Sequence, residues 1–143
     1  MAHRYFTLNE AEALLPKVKN HMTKLMGIHD ELTALSGVKV QGAAGFDWNT
    51  HMLAVNINKR YHELSFKYFA ELEALGRMGC YVKDVSQGLV DFYSRLESRD
   101  ILLCWQYDEP TILYFHDEKT GFTGRIPINQ LKETLLQQQK ALL

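Results

Sequence analysis

The chain contains 143 residues, of which 46% are hydrophobic and 23% are charged, and its formal net charge is −1. This length fits one domain, and this composition is that of an ordinary globular protein, which excludes wholesale disorder. A charge so close to neutral gives no general attraction to nucleic acid or to anionic lipid, so we expect no nucleic-acid partner.

The sequence also gives no sign of membrane or secretory segments. No stretch approaches the ~18 apolar residues of a membrane span, and the first residues lack the apolar core of a signal peptide. The two cysteines, Cys80 and Cys104, are too few for a disulfide framework and suit a reducing compartment. We therefore expect a cytoplasmic protein that has no membrane partner.

The first predicted element is a long helix that begins behind Thr7 and runs to about Ser36. Thr7 and Glu10 have the spacing of a capping box, in which each side chain accepts a hydrogen bond from a backbone N–H at the start of the helix. Pro16 lies inside the helix and predicts a kink or a broken start. Intervals of three and four residues place one stripe along the helix: Leu8, Ala11, Leu15, Val18, Met22, Leu25, His29 and Leu32.

A second helix is predicted to begin near Asp47, after a loop that contains glycines, and to end at Gly76 or Gly79. Its stripe continues the same spacing and is widened by Phe69 and Leu72: Ala54, Ile57, Tyr61, Leu64, Tyr68, Glu71, Leu75 and Met78. The short loop makes the two helices antiparallel neighbours. Two helices alone cannot bury both stripes, so we expect the sheet and a second copy of the chain to cover them, which predicts a homodimer.

The hydrophobic period changes after Gly88. Residues 89–94, 101–107 and 111–117 are short runs rich in β-branched and aromatic residues, separated by charged turns. They predict a three-stranded antiparallel meander. Asn129 is suited to cap a final short helix.

The predicted fold class is therefore α+β: a long antiparallel helical hairpin with a small three-stranded antiparallel sheet. We expect a single domain over residues 1–143. Its parts are the hairpin at about 5–80, the meander at about 88–127, and a tail or short helix at 128–143.

Fragments of catalytic motifs occur, but each is incomplete. His62 and Glu63 begin a zinc-protease HExxH, yet Phe66 stands where the second histidine would be. His116, two residues before Glu118, matches the H-x-E of a zinc deaminase, but no PCxxC follows. The phosphate loop, the dinucleotide fingerprint and the serine-hydrolase elbow are missing from the sequence. Whether the protein is an enzyme stays open.

Several short segments resemble one known family. They are RYFTLNEAEALLP at 4–16, GLVDF at 88–92, LLCW at 102–105, EP at 109–110, FH at 115–116 and GFTGR at 121–125. In order and spacing they resemble the domain-of-unknown-function family DUF2203 over almost the whole chain. The family usually has Trp at Phe115, Ala at Thr123 and Gly at Asp108, which are mild departures. The resemblance implies a bacterial cytoplasmic protein and brings no activity with it.

Polar residues within the predicted sheet are the best functional candidates: Asp91, Cys104, His116, Glu118 and Arg125, with Lys83 and Asp84 just upstream. An aspartate inside an apolar strand is costly unless it is paired or solvated. Imidazole, carboxylate and thiolate groups can together bind zinc, so Asp91, Cys104 and His116 are candidate metal ligands.

The register of the second hairpin decides whether these candidates meet. If Tyr107 pairs with Thr111, then Cys104 faces Tyr114, and His116 lies diagonally beside Cys104 on the same face. A shift by one residue separates them to opposite faces. The sequence leaves both registers open.

Structural roles are the simpler interpretation of the same residues. Cys104 is then a small buried hydrophobic residue, and His116 a hydrogen-bonded residue at a strand end. Arg125 is expected within hydrogen-bonding reach of Asp91 or Glu118, because two glycines let its loop fold back over the sheet.

Two functional hypotheses follow. The first is a homo-oligomeric interaction module or a binding protein for a small, possibly anionic, ligand. The alternative is a small metal-assisted hydrolase that uses Asp91, His116 and Arg125, with Arg125 binding an anionic group.

Overall fold

The structure, a computed structural model, describes residues 3–38 and 47–130. Two long helices, α1 (Leu8–Ser36) and α2 (Trp48–Met78), precede a sheet of five strands. The strands are β1 (Tyr81–Asp84), β2 (Leu89–Leu96), β3 (Arg99–Gln106), β4 (Tyr114–His116) and β5 (Ile126–Pro127). Each strand pairs antiparallel with the next one along the chain.

The α+β class, the hairpin and the antiparallel meander are confirmed, but the predicted number of three strands is wrong. The two additional strands, β1 and β5, have four and two residues, too few for a recognisable alternation. The described part of the predicted tail is a 3-10 turn at Ile128–Gln130 rather than an α-helix. Residues 131–143 lie outside the described part of the chain.

Helix α1 begins where its capping box places it. Thr7 accepts the Glu10 N–H at 3.0 Å, and the Glu10 carboxylate accepts the Thr7 N–H at 2.9 Å. The helix then runs without interruption through Pro16, so the predicted broken start is wrong. Leu15 and Val18, on either side of this proline, are buried and hold the chain in helical register.

Helix α2 begins and ends as its sequence predicts. The Asp47 carboxylate accepts the Thr50 N–H at its start, and Gly79 ends it in the left-handed conformation with φ 95°. Glycine is required there for a second reason: a Cβ on Gly79 would lie 2.7 Å from Cδ of Arg4. Arg4 also donates to the Met78 carbonyl at 2.7 Å, which fixes the entering chain over the end of α2.

The hydrophobic core lies between one end of the hairpin and one face of the sheet. On α1 the predicted stripe is buried from Leu8 to Leu25, and on α2 the buried positions are Leu64 and Leu75. Phe92 of β2, Leu103 of β3 and other sheet residues complete this cluster. Strand residues alternate between the two faces, so the neighbours of these core residues point away from the helices.

The two edges of the sheet are short or irregular. β1 covers β2 only as far as Asp91 and contains a bulge between Val82 and Asp84. Beyond it, the chain before α1 continues the edge, and the Phe6 N–H donates to the Tyr93 carbonyl at 2.7 Å. The opposite edge is β5, which contains Pro127. Within residues 3–38 and 47–130, neither helix is both long enough and apolar enough to cross a membrane.

Candidate metal centre

The strand registers bring three of the candidate residues together. Cys104 pairs with Tyr114, and Leu102 pairs with His116, which is the first of the two registers considered from the sequence. Asp91 pairs directly with Cys104. Asp91, Cys104 and His116 therefore share the sheet face that points away from the helices, and their ligand atoms all lie within 4.8 Å of one another.

This polar cluster is as deeply buried as the hydrophobic core. The exposed fractions are 1% for Asp91, 1% for Cys104 and 2% for His116. Aromatic side chains surround Tyr93 on the same face; the nearest is His3, whose ring stacks on that of Tyr93 with a centroid distance of 3.8 Å. Burying a carboxylate at this depth is costly unless a hydrogen bond or an opposite charge compensates.

The hydrogen bonds of His116 determine which of its ring nitrogens carries a proton. Nδ1 lies 2.6 Å from the Asp117 carbonyl oxygen, and since a carbonyl can only accept, Nδ1 must be the donor. In the neutral imidazole, Nε2 is then an unprotonated nitrogen with its lone pair in the ring plane. This nitrogen lies 3.2 Å from Oδ2 of Asp91.

Asp91 has a further unsatisfied atom at the same place. Its second oxygen, Oδ1, is buried and has no hydrogen-bond partner within the described part of the chain. With a neutral imidazole, the carboxylate presents one oxygen to an acceptor nitrogen, and its other oxygen has no hydrogen-bond partner among the described residues. Buried polar atoms without partners are rare and call for an explanation such as a bound ion.

Cys104 is kept as a neutral thiol by its surroundings. Burial raises the pKa of its thiol to about 12, and the negative charge of Asp91 adds to the rise, while Arg125 opposes it. A bound cation would reverse this preference, because a metal-coordinating thiol loses its proton.

Arg125 does not form the predicted pair with Asp91 or Glu118, so that expectation is wrong. Its Nη2 contacts a carboxylate oxygen of Glu109 and donates to the Cys104 carbonyl at 3.3 Å. The guanidinium also lies 4.1 Å from the ring centroid of Tyr114. Arg125 thus holds the backbone at Cys104 and lies beside the cluster on the same face of the sheet.

Glu109 is the residue that the sequence interpretation missed. Its carboxylate also accepts the Gln106 N–H at 2.6 Å. Glu109 therefore holds both the turn between β3 and β4 and the side chain of Arg125. The Glu-Pro pair at 109–110 is among the family segments, and this was the only sequence signal that could have pointed to it.

The remaining candidates lie outside the cluster. Glu118 is exposed and hydrogen-bonds Tyr93; burial first, and then this bond, raise the pKa of Tyr93 to about 12. Glu118 also lines an open cavity of about 800 Å³, which none of the three cluster residues lines. Asp84 accepts from the Ser86 hydroxyl and the Gln87 N–H, which makes it a turn residue, and Lys83 lies in the short strand β1.

The model of one family, described as an uncharacterized conserved protein (DUF2203), matches residues 4–128 of this chain. The chain belongs to DUF2203. The resemblance seen in the sequence segments is thereby confirmed, and the matched range contains the whole cluster and Arg125. Neither the curated proteins nor the solved structures contain a match to this DUF2203 chain.

Proposed function

We propose that this protein binds a divalent transition-metal ion, with zinc as the best chemical match, and that Asp91, Cys104 and His116 are its ligands. One observation carries the proposal. The lone pair of His116 Nε2 faces Oδ2 of Asp91 at 3.2 Å, with Nδ1 committed to the Asp117 carbonyl. Two electron-rich atoms at this distance repel each other unless a proton or a cation lies between them.

The distances and donor atoms suit zinc. With Zn–N and Zn–O bonds of about 2.1 Å, two ligand atoms of a tetrahedral site lie about 3.4 Å apart, close to the 3.2 Å between Nε2 and Oδ2. A thiolate and an imidazole select zinc and similar transition metals over magnesium or calcium, which prefer oxygen ligands. Zinc-binding histidines commonly donate their other N–H to a backbone carbonyl, as His116 does to Asp117.

The unpartnered oxygen of Asp91 supports the same conclusion. Oδ1 is buried and receives no hydrogen bond from the described residues, so a cation beside the carboxylate would compensate both of its oxygens. Three protein ligands would leave one position of a tetrahedral ion for water or for a further group.

Binding is better supported than hydrolysis. All three ligands are at least 98% buried, and the open cavity near Glu118 is lined by other residues. Arg125, which the hydrolase hypothesis assigns to an anionic substrate, is engaged by Glu109 and the Cys104 carbonyl. A cytoplasmic location in a bacterium suits this proposal, because a reducing compartment keeps Cys104 available as a ligand.

The proposal is tested by measuring metal content and affinity. Protein purified without a histidine tag is titrated with zinc and with cobalt, whose thiolate charge-transfer absorption reports coordination by cysteine. We expect one ion per chain. Cys104→Ala should abolish the charge-transfer band, and Asp91→Asn should weaken zinc binding by about tenfold or more.

Cys80→Ala is the matched control, because Cys80 is also buried, with an exposed fraction of 4%, but lies in the hydrophobic core. It should bind one ion with unchanged affinity. If no ion binds and nitrogen NMR shows both ring nitrogens of His116 protonated, a buried imidazolium–carboxylate pair replaces the metal and the proposal fails.

A further inference from the structure

Helix α2 carries a second row of mostly apolar side chains that points away from the hydrophobic core of the chain. This outer stripe consists of Trp48, Met52, Val55, Lys59, His62, Phe66 and Phe69, at intervals of four and three residues. At 3.6 residues per turn it lies on the side of α2 opposite to Leu64 and Leu75, the residues buried against the core. Four of its members are strongly exposed: Trp48 62%, Val55 42%, Phe66 78% and Phe69 65%.

We infer that a second copy of this chain covers the outer stripe, with the two α2 helices packed antiparallel. The dimer surface expected from the sequence was the stripe between Ala11 and Leu75, but much of that stripe is buried within the chain itself. The outer stripe is a different surface. Its regular spacing of 3.5 residues is that of a helix that packs against another helix.

The order of residues within the outer stripe is compatible with an antiparallel arrangement, because from Met52 to Phe69 the apolar and polar positions alternate in the same way in both directions. Apolar residues occupy both of its ends, and Lys59 and His62 occupy the middle. The stripe alternates between the two core positions of a heptad, a and d. In an antiparallel pair, an a position of one helix faces a d position of the other. This places Phe66 against Val55 of the second copy and Phe69 against Met52 of the second copy, and Trp48 lies beyond these matched pairs.

Charge distinguishes the two arrangements and favours the antiparallel one. A parallel pair in register would place Lys59 against Lys59 of the second copy, and like charges face to face are unfavourable. The antiparallel pair instead places Lys59 beside His62 of the second copy and next to Glu63 of the second copy. Glu63 is half exposed, and its contact with Arg60 in its own chain is long, at 3.8 Å. Its carboxylate can therefore accept a second cation.

The surface beside the stripe also suits a second helix. Phe66 forms one wall of a groove of about 400 Å³ between α1 and α2, lined by Gly27, Ile28 and Ala70 among others. A Cβ added to Gly27 would meet no atom within 4 Å, so the groove is open above it. From Trp48 to Phe69 the stripe is about 32 Å long. It would bury a few hundred Å² per copy, less than the ~800 Å² of a standard interface, so we expect a reversible dimer of micromolar affinity.

Analytical ultracentrifugation across micromolar concentrations tests the surface. We expect wild-type protein to approach twice the 16.5 kDa chain mass. Phe66→Glu should raise the dimer dissociation constant by about tenfold or more, because it places a charge at the centre of an apolar contact. Val38→Glu is the matched control, since Val38 is 50% exposed but lies outside the stripe, and it should leave the constant unchanged. A monomeric wild type, or a dimer that Phe66→Glu leaves intact, overturns the inference.

Thiol cross-linking tests the orientation independently of any loss of affinity. Met52 and Phe69 are about 25 Å apart along one helix, beyond the reach of a short bismaleimide linker. A chain with both Met52→Cys and Phe69→Cys should form a covalent dimer, whereas Met52→Cys alone should not. Cross-linking of the single variant would mean a parallel pair and would overturn the antiparallel assignment. Circular dichroism on each variant confirms that the helices are retained.

Discussion

The two faces of the sheet are buried to the same depth but contain opposite chemistry. On β2, Phe92 is 0% exposed and faces the helices, while its neighbour Asp91 is 1% exposed and faces away from them. The same contrast recurs on β3 between Leu103 and Cys104. Each strand thus contributes one side chain to an apolar core and one to a polar cluster, so burial alone does not identify the stabilising part of this fold.

The two faces differ in whether all of their buried groups have suitable partners. The helix-side face is closed by apolar contacts, which stabilise a fold by roughly 25 cal/mol for each Å² removed from water. The opposite face leaves Oδ1 of Asp91 and Nε of Arg125 buried without hydrogen-bond partners among the described residues. Proteins break the rules of satisfied burial mainly at functional sites. Stability should therefore depend on the first face, and binding on the second.

The largest expected effect is on the apolar face. Phe92→Ala removes a ring that is completely buried against Phe6, with a ring-centroid distance of 5.3 Å, and leaves a cavity. The free energy of unfolding should fall by about 3–5 kcal/mol, measured by denaturant titration. A loss below about 1 kcal/mol would mean that this face is not the one that determines stability.

A smaller effect is expected where Arg125 braces the polar face. Arg125→Ala should cost about 2–3 kcal/mol, because it leaves the Glu109 carboxylate, only 12% exposed, without its cation. Arg77→Ala is the control, since Arg77 pairs with Glu73 on the surface and both side chains are more than half exposed. Equal unfolding free energies for the two variants would show that the Arg125 pair is no more than a surface contact.

The cap of the helix that covers the apolar face should have a lesser effect. Thr7→Ala removes the hydrogen bond to the Glu10 N–H and should lower the unfolding free energy by about 1 kcal/mol. Thr33→Ala provides the comparison, because the Thr33 hydroxyl bonds only the His29 carbonyl within the same helix. An unfolding midpoint that Thr7→Ala leaves unchanged would show that the start of α1 does not depend on this side chain.

The smallest effect is expected in the centre of the polar face. In protein stripped of metal, Asp91→Asn should change the unfolding free energy by less than about 0.5 kcal/mol or increase it, because the amide N–H can donate to Nε2 of His116. A loss of about 3–5 kcal/mol would indicate that His116 is an imidazolium that needs the carboxylate. This one variant therefore separates a cluster built for a metal ion from a buried ion pair.

Local sequence patterns were sufficient to predict much of this architecture. Thr7 and Glu10 identify the start of α1, and the spacing from Leu8 to Leu25 identifies the face that is buried. For the pairing of β3 with β4 the sequence left two registers open, and the structure has the one that aligns Cys104 with Tyr114. These features depend on residues close together in the chain.

Features that depend on distant contacts were not predictable. The partner of Arg125 is set by how the 117–125 segment returns over the sheet, which selects Glu109 and not Asp91 or Glu118. The aromatic residues of 61–72 could have been core or dimer surface. The spacing already placed Tyr68 in the core-facing stripe, but only the packing of α2 on α1 shows that Phe66 and Phe69 lie outside.

The way in which the sheet edges are finished has a consequence for aggregation. An open edge strand is a template on which other chains can add by backbone hydrogen bonding. At one edge, β1 contains a bulge, and the segment with Phe6 pairs with β2 where β1 ends. At the other edge, β5 ends in Pro127, which has no N–H to donate. Within the described residues, both edges are therefore poor templates for the addition of further strands. Removing the residues before Thr7 would reopen the β2 edge at Tyr93, and sedimenting, thioflavin-positive material should then form faster than from the full chain.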